Sequence, residues 1–342
     1  MSKLRLIAAS LLALAAPAMA QEEPPTPASV IAGAAPGEWV RIAPEDILVM
    51  ELAPAADGSA REVVIQLLPP PFSQPWVENI RTLARAHWWD GKSVYRVVDN
   101  WVAQWGGGDP ELGMDPGPLP EGVVSPVAAY TVPIAALPRD PGPTLSEIYE
   151  ACPDKRRGRC DAEDLPPAQR AQIERIMRQA PLDDHYAELA FFRMGWPLAM
   201  TRADATAWPV HCYGSVGVAR DLAPDTGTGS ELYAVIGHAP RQLDRNIAVV
   251  GRVIEGIEHL STLRRGTADA GVYADRKEDA PIMSVRLAAE MTAPPAYEYL
   301  DTASESFARY VDVRANRHDS FYEVPAGGID LCNVQVPMRR AE

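Results

Sequence analysis

The hydrophobic positions change period twice before residue 110. DILVMEL (46–52) and REVVIQL (61–67) are runs rich in β-branched and apolar residues on either side of PAADGS, whose Asp57-Gly58 pair marks a turn, so they predict a hairpin. SQPWVENIRTLARAHWW (73–89) then repeats at helical spacing: Ser73 is placed to cap, Pro75 fits the first turn, and Val77, Ile80, Leu83, Ala84 and His87 share one side. On that stripe His87 is expected to be packed. After Asp90-Gly91 the period returns to two in VYRVVDNWVAQWGGGD (94–109), where strict alternation puts Val94, Arg96 and Val98 on one face and Tyr95 and Val97 on the other.

Later runs repeat the strand pattern: GSVGVAR (214–220), SELYAVIG (230–237), NIAVVGRVI (246–254) and PIMSVRL (281–287). EGIEHLSTLRRG (255–266) predicts a helix with Ile257, Leu260 and Leu263 on one side and Gly266 as its stop. Short strands with turn-length connections do not alternate as βαβ units do. They predict a mainly β fold, a closed eight-stranded antiparallel barrel capped by two helices and built from 41–110 and 211–289. Residues 111–210 break the pattern with a proline-rich stretch, a helical repeat at 167–180 and an apolar helix expected at 186–194, so they predict an insertion with short helices. Residues 290–342 form a C-terminal extension, where Thr302-x-x-Glu305 signals a capped helix.

Composition adds a compartment. Residues 1–20 (MSKLRLIAASLLALAAPAMA) have the basic start, the apolar stretch and the Ala-Met-Ala end of a cleaved export signal, and 21–40 is a Pro/Ala-rich linker or loose arm. The mature protein is therefore expected in the periplasm or outside the cell, with no membrane anchor once the signal is cleaved. With 32 Lys and Arg against 46 Asp and Glu the net charge is −14, and loss of Lys3 and Arg5 with the leader deepens it. Such a surface repels phosphate backbones and anionic lipid, which excludes nucleic acid and a membrane surface as partners. Four cysteines in an exported chain allow three pairings; the short step from Cys152 to Cys160 favours that bond, leaving Cys212 with Cys332. There is no C-x-x-C pair, and the six histidines are scattered, so no metal site is expected.

Several strings then fall in one order: VEN (77–79), YRVV (95–98), QWGGGD (104–109), GVAR (217–220), GSELY (229–233), LD (243–244) and GRVIEG (251–256). Together they resemble the cyclophilin family of peptidyl-prolyl isomerases, whose strings F-H-R-V-I-P-G-F-M-x-Q-G-G-D, S-M-A-R or S-M-A-N, G-S-Q-F-F and F-G-x-V-x-x-G follow the same sequence. The resemblance implies an enzyme that acts on proline-containing polypeptides without a cofactor. By the same resemblance, Arg96 is the catalytic donor to the substrate amide, and Gln104 holds the substrate backbone and orients the arginine. Trp101, Val102, Tyr233 and Leu243 match the proline pocket, and Ala219 and Arg220 match the strip that pairs with an extended peptide.

Both Arg96 and Gln104 can serve one site only if the turn near Asn100 sets 96 opposite 104. The chain departs from the family at Glu231 (usually Gln), Gln242 (usually Trp or Phe) and Ile247 (usually His or Tyr). Glu231 either pairs with Arg96 and holds it or neutralises its charge. An alternative reading is a catalytically weak binding module or chaperone on the same barrel.

Overall fold

A computed structural model of the chain describes residues 24–108, 110, 113–138, 182–201 and 203–341. Eight strands close into an antiparallel barrel: β2 (Ile47–Leu52), β3 (Arg61–Leu67), β4 (Ser93–Val97), β5 (Val102–Gly106), β11 (Ser215–Val218), β12 (Leu232–Val235), β13 (Val249–Glu255) and β14 (Ala280–Leu287). Their order around the barrel is β11-β12-β5-β4-β14-β2-β3-β13, as the mainly β reading of the sequence expects. Leu48, Met50, Val63, Ile65, Ala103, Trp105, Val216 and Ala234 fill the interior. Helix α2 (Gln74–Arg85) packs Trp76, Val77, Ile80 and Leu83 into the same core. A further cap, α3, is only Glu258–Ser261, much shorter than the 255–266 periodicity predicts. The preceding Gly256 holds φ +82° with a virtual Cβ 1.9 Å from the Glu62 carbonyl oxygen, so the chain there is pressed against β3.

Two further expectations fail for local reasons. His87 is exposed, because α2 ends at Arg85 and a φ of 54° at His87 turns the chain away from the stripe. Tyr95 is an extra residue in β4: Val94 lies opposite Trp105 and Arg96 opposite Gln104, a β-bulge that breaks the alternation. Val94 and Val97 both enter the core, while Val98 goes to a separate cluster on the barrel's outside.

Outside the barrel, three stretches that the sequence treats as separate share a second core. The arm at 21–40 is not loose where it is described, since Pro27–Ala32 form helix α1, capped by Thr26, and Val30 is buried. Strand β1 (Trp39–Arg41) pairs with β15 (Tyr297–Leu300), which also pairs with β17 (Met338–Arg340). The 111–210 region contributes a sheet, β6 (Val132–Pro133), β10 (Thr206–Pro209), β9 (Trp196–Thr201) and β8 (Leu189–Arg193). The helix expected at 186–194 is thus the β8 strand. Met194 and Gly195, both at positive φ, make the two-residue turn into β9 that a hairpin requires. The expected helix at 167–180 lies outside the described residues.

Helix α4 (Glu305–Asn316) follows β15, with Val30, Phe192, Trp208, Phe307 and Tyr310 packed together. Its cap is Ser304, whose hydroxyl accepts from the Phe307 amide at 3.1 Å; Thr302, the expected cap, instead accepts from the Gly195 amide at 3.1 Å. Strand β7 (Leu182–Asp183) pairs in parallel with β16 (Ile329–Asp330). Cys212 is bonded to Cys332 just beyond β16. Cys152 and Cys160, expected to pair, lie outside the described residues, as do residues 1–20, where an export leader is expected.

Candidate functional site

Turn geometry sets the register the site needs. Val98 accepts from Trp101 N and donates to Val102 O, and Asn100 takes φ 53°, a conformation asparagine tolerates. Arg96, Gln104, Tyr233 and Gly217 thereby become successive partners across β4, β5, β12 and β11.

Arg96 is held at two points of its fork. Nη1 donates to Gln104 Oε1 at 2.9 Å and Nε to the Ala270 carbonyl at 2.6 Å, while the guanidinium lies 5.3 Å from the centroid of the Trp101 ring. Burial lowers the guanidinium pKa, and arginine still remains a cation. Ala270 itself sits at φ 56°, a strained setting for alanine that aims its carbonyl at Arg96.

The orientation of the Gln104 amide follows from its neighbours. Its Nε2 donates to the Tyr95 hydroxyl at 2.6 Å, and that hydroxyl donates to Glu231 Oε2 at 2.8 Å. The amide oxygen is thus the end that faces Arg96. Burial first, and the Glu231 carboxylate second, raise the Tyr95 pKa, so the phenol keeps the proton this chain of donors requires. Glu231 Oε1 accepts from the Gly108 amide at 3.0 Å. A Cβ on Gly106 would lie 2.2 Å from that same oxygen, which explains why the strand ends in glycine as it crosses the carboxylate.

Burial raises the Glu231 pKa against these hydrogen bonds. No direct bond joins Glu231 to Arg96 among the described residues; the two are linked through Gln104 and Tyr95, so the direct pair with Arg96 is not formed.

Next to this polar row is an apolar one. Val102, Tyr233 and Val235 form a cluster on which Val98, Trp101, Ala219, Leu243 and Ile247 pack. Trp101, Val102, Tyr233 and Leu243, assigned to the pocket by resemblance, therefore meet, and Ala219 joins them. A cleft of about 350 Å³ opens beside Trp101, with Gln242, Pro240 and Asn100 among its walls. The Ala219 amide is engaged with Glu231 O at 2.9 Å, and the Arg220 side chain folds back onto the Asn246 and Asp221 carbonyls. Among the described residues no group of three or more His, Cys, Asp or Glu is placed to hold a metal ion.

Sequence reasoning passes over Tyr95, Ala270 and His211. His211 is fully buried, with Nε2 2.9 Å from the Tyr233 hydroxyl and Nδ1 2.9 Å from Asp244 Oδ1. Read as one of several scattered histidines, it carried no signal. The available hint was Gly217, since a glycine register partner leaves room for the hydroxyl of Tyr233 where a Cβ would lie 2.3 Å from it.

No curated protein matches the chain. Among solved structures, the cyclophilin AquaCyp293 from Hirschia baltica aligns with a TM-score of 0.57 at 18% identity, over 93% of this chain and 98% of that one. That likeness is one of fold, and its extent takes in the second core as well as the barrel. A cyclophilin type peptidyl-prolyl cis-trans isomerase from Cryptosporidium parvum aligns at 12% identity with a TM-score of 0.34, over 71% of this chain and 96% of that one. The family profile described as cyclophilin type peptidyl-prolyl cis-trans isomerase/CLD matches residues 63–287, more than half of the 342 residues. With the closed barrel, which runs from Ile47 to Leu287 and contains that stretch, the match makes this chain a member of the cyclophilin-type peptidyl-prolyl cis-trans isomerases.

Proposed function

We propose that the protein is an exported isomerase of X-Pro bonds in folding polypeptides and that Arg96 supplies its catalytic donor. Rotating an amide costs about 18–20 kcal/mol because conjugation is lost as the C–N bond twists. A catalyst of that step needs neither nucleophile nor general base; it must bind the twisted amide better than either planar form. An apolar pocket for the pyrrolidine ring and a fixed cation at the amide meet that need.

The observation that carries this reading is the pairing of Arg96 with Gln104 at 2.9 Å beside the Trp101, Val102, Tyr233 and Leu243 cluster. With Nε and Nη1 engaged, Nη2 is the part of the fork that has no hydrogen bond among the described residues, and it is the group we assign to the substrate carbonyl and the prolyl nitrogen. Gln104 limits the swing of the fork, and the Tyr95–Glu231 pair limits the swing of Gln104. Preorganised donors of this kind need not reorient as the amide twists. Ala219 and Arg220 are assigned to backbone pairing with an extended peptide, as at a sheet edge.

A protease-coupled assay with a proline peptide tests the proposal on the purified chain and on Arg96→Ala. Turnover well above the uncatalysed rate in the first and its loss in the second is the expected result. Equal, uncatalysed rates in both would leave a proline-binding module. For export, intact mass of the processed protein is expected to give a chain that begins at Gln21; a chain that retains residues 1–20 would refute cleavage.

A further inference from the structure

The Tyr233 hydroxyl makes its contacts apart from the cluster that holds its ring. Its ring forms part of the pocket cluster, yet the oxygen lies over Gly217 and meets His211 Nε2 at 2.9 Å. Burial, and secondarily the Asp244 carboxylate, raise the phenol's pKa, so it keeps its proton. Asp244 Oδ1 accepts from the His211 backbone amide and from Nδ1, both at 2.9 Å. A carboxylate oxygen in that setting can only accept, so Nδ1 carries an imidazole proton, and Nε2 is hydrogen-bonded to the Tyr233 hydroxyl.

The same carboxylate reaches a second wall. Asp244 Oδ2 accepts from Arg241 Nε at 2.6 Å, and Leu243, which packs in the pocket cluster, lies between these two residues on one tight turn. Arg241 Nη2 donates in turn to Asp184 Oδ2 at 2.7 Å, immediately after β7. The chain that carries Asp184 is fixed by β16 through the β7 pairing, and the residue two beyond β16 is disulfide-bonded to Cys212, the neighbour of His211. The polar side chains of this network are buried, with His211 at 0%, Tyr233 at 4% and Asp244 at 7% exposure and the Asp184 side chain at 2%.

From this we infer that His211 is a positioning residue of the pocket: it fixes the Tyr233 ring through the hydroxyl and the Leu243 turn through Asp244, so that one buried network outside the barrel sets the distance between two pocket walls. The inference rests on the reading of this cluster as the proline site. A tyrosine at that position leaves a buried hydroxyl that needs a partner, and His211 supplies it where phenylalanine would need none. The consequence is that the width of the pocket depends on residues 182–184 and 329–332, far from the barrel in sequence.

The test uses the full mature chain with three variants, His211→Leu, His211→Gln and Tyr233→Phe, and the double variant His211→Leu/Tyr233→Phe. Two readouts are taken: kcat and KM for a proline peptide, and the Tyr233 ring-flip rate from carbon-13 NMR of the free protein. His211→Leu is expected to raise KM about tenfold, equivalent to one step of 1.4 kcal/mol, with kcat changed far less. The double variant should recover most of that loss relative to His211→Leu alone, because removing both partners leaves no orphaned polar group. His211→Gln, which keeps polar atoms at the site, should fall between wild type and His211→Leu and serves as the readout if the leucine variant does not fold.

In the free protein His211→Leu, or His211→Gln in its place, should speed the ring flip. An unchanged flip rate, or losses in KM that multiply without coupling in the double variant, overturns the inference. A wild type that neither binds nor turns over the peptide defeats the proline-site reading instead, and the flip rate then decides the role of His211 by itself.

Discussion

Two hydrogen-bonded chains leave the groove in different directions, and they end differently. The first runs Arg96–Gln104–Tyr95–Glu231 and stops on the amide of Gly108, within or beside strands β4, β5 and β12. The second runs Tyr233–His211–Asp244–Arg241–Asp184 and ends beside β7, outside the barrel. The donor end thus holds a single carboxylate that burial pushes toward its neutral form, whereas the pocket end holds two carboxylates around one arginine. Although burial alone would lower the Arg241 pKa, its bonds to Asp184 and Asp244 raise it on balance. In this fold the Arg96 cation is oriented by the neutral Gln104 amide and Ala270 carbonyl, and the apolar cluster is braced by charged groups.

The comparison breaks most severely at Arg241. Arg241→Met strands two carboxylates with side-chain exposures of 2% and 5%, and the loss expected in chemical denaturation is about 3–5 kcal/mol. A loss below 1 kcal/mol would mean the brace carries little. Next is Cys332→Ser, which opens a bond spanning 120 residues and is expected to lower stability by about 2–4 kcal/mol while raising KM for a proline peptide. A change in stability with no change in KM would detach the pocket from the second core. Gly217→Ala places a Cβ 2.3 Å from the Tyr233 hydroxyl, and overpacking of that kind costs about 1–3 kcal/mol in unfolding free energy.

The smallest effect belongs to the donor end. Because the folded state raises the Glu231 pKa above the ordinary glutamate value of 4.5, the native protein binds more protons than the unfolded chain in the window above that value. Glu231 therefore contributes stability at low pH that fades as pH rises through its folded pKa. Glu231→Gln should flatten that part of the stability-versus-pH curve, measured by urea unfolding from pH 4.5 upward; an identical slope in both proteins would contradict the raised pKa.

All eight barrel strands were legible because each is a short apolar run bounded by turn residues, and the hydrophobic period survives the lack of any tertiary information. Arg96 and Gln104 were legible for a second reason: their spacing across one tight turn makes a register claim, and the turn at Asn100 satisfies it. The bulge at Tyr95 was not, since one extra residue leaves no trace in the composition of a strand. Tertiary contacts also overrode local signals, as where Thr302 bonds to Gly195 and leaves the cap of α4 to Ser304. His211 and Asp184 were invisible because their meaning lies in contacts between positions 27 apart and in the β7–β16 pairing, which no local pattern specifies.

The most direct measurement is the rate at which a saturating proline peptide interconverts between cis and trans on the protein, from NMR exchange spectroscopy of wild type, Arg96→Ala and Arg96→Lys. Loss of a preorganised donor costs about 10²–10³ in rate, and a lysine cannot reproduce the planar fork held by Gln104 and Ala270, so both variants should bind the peptide but interconvert it slowly. Wild-type interconversion in Arg96→Ala at full occupancy would contradict the assignment of Arg96 as the donor.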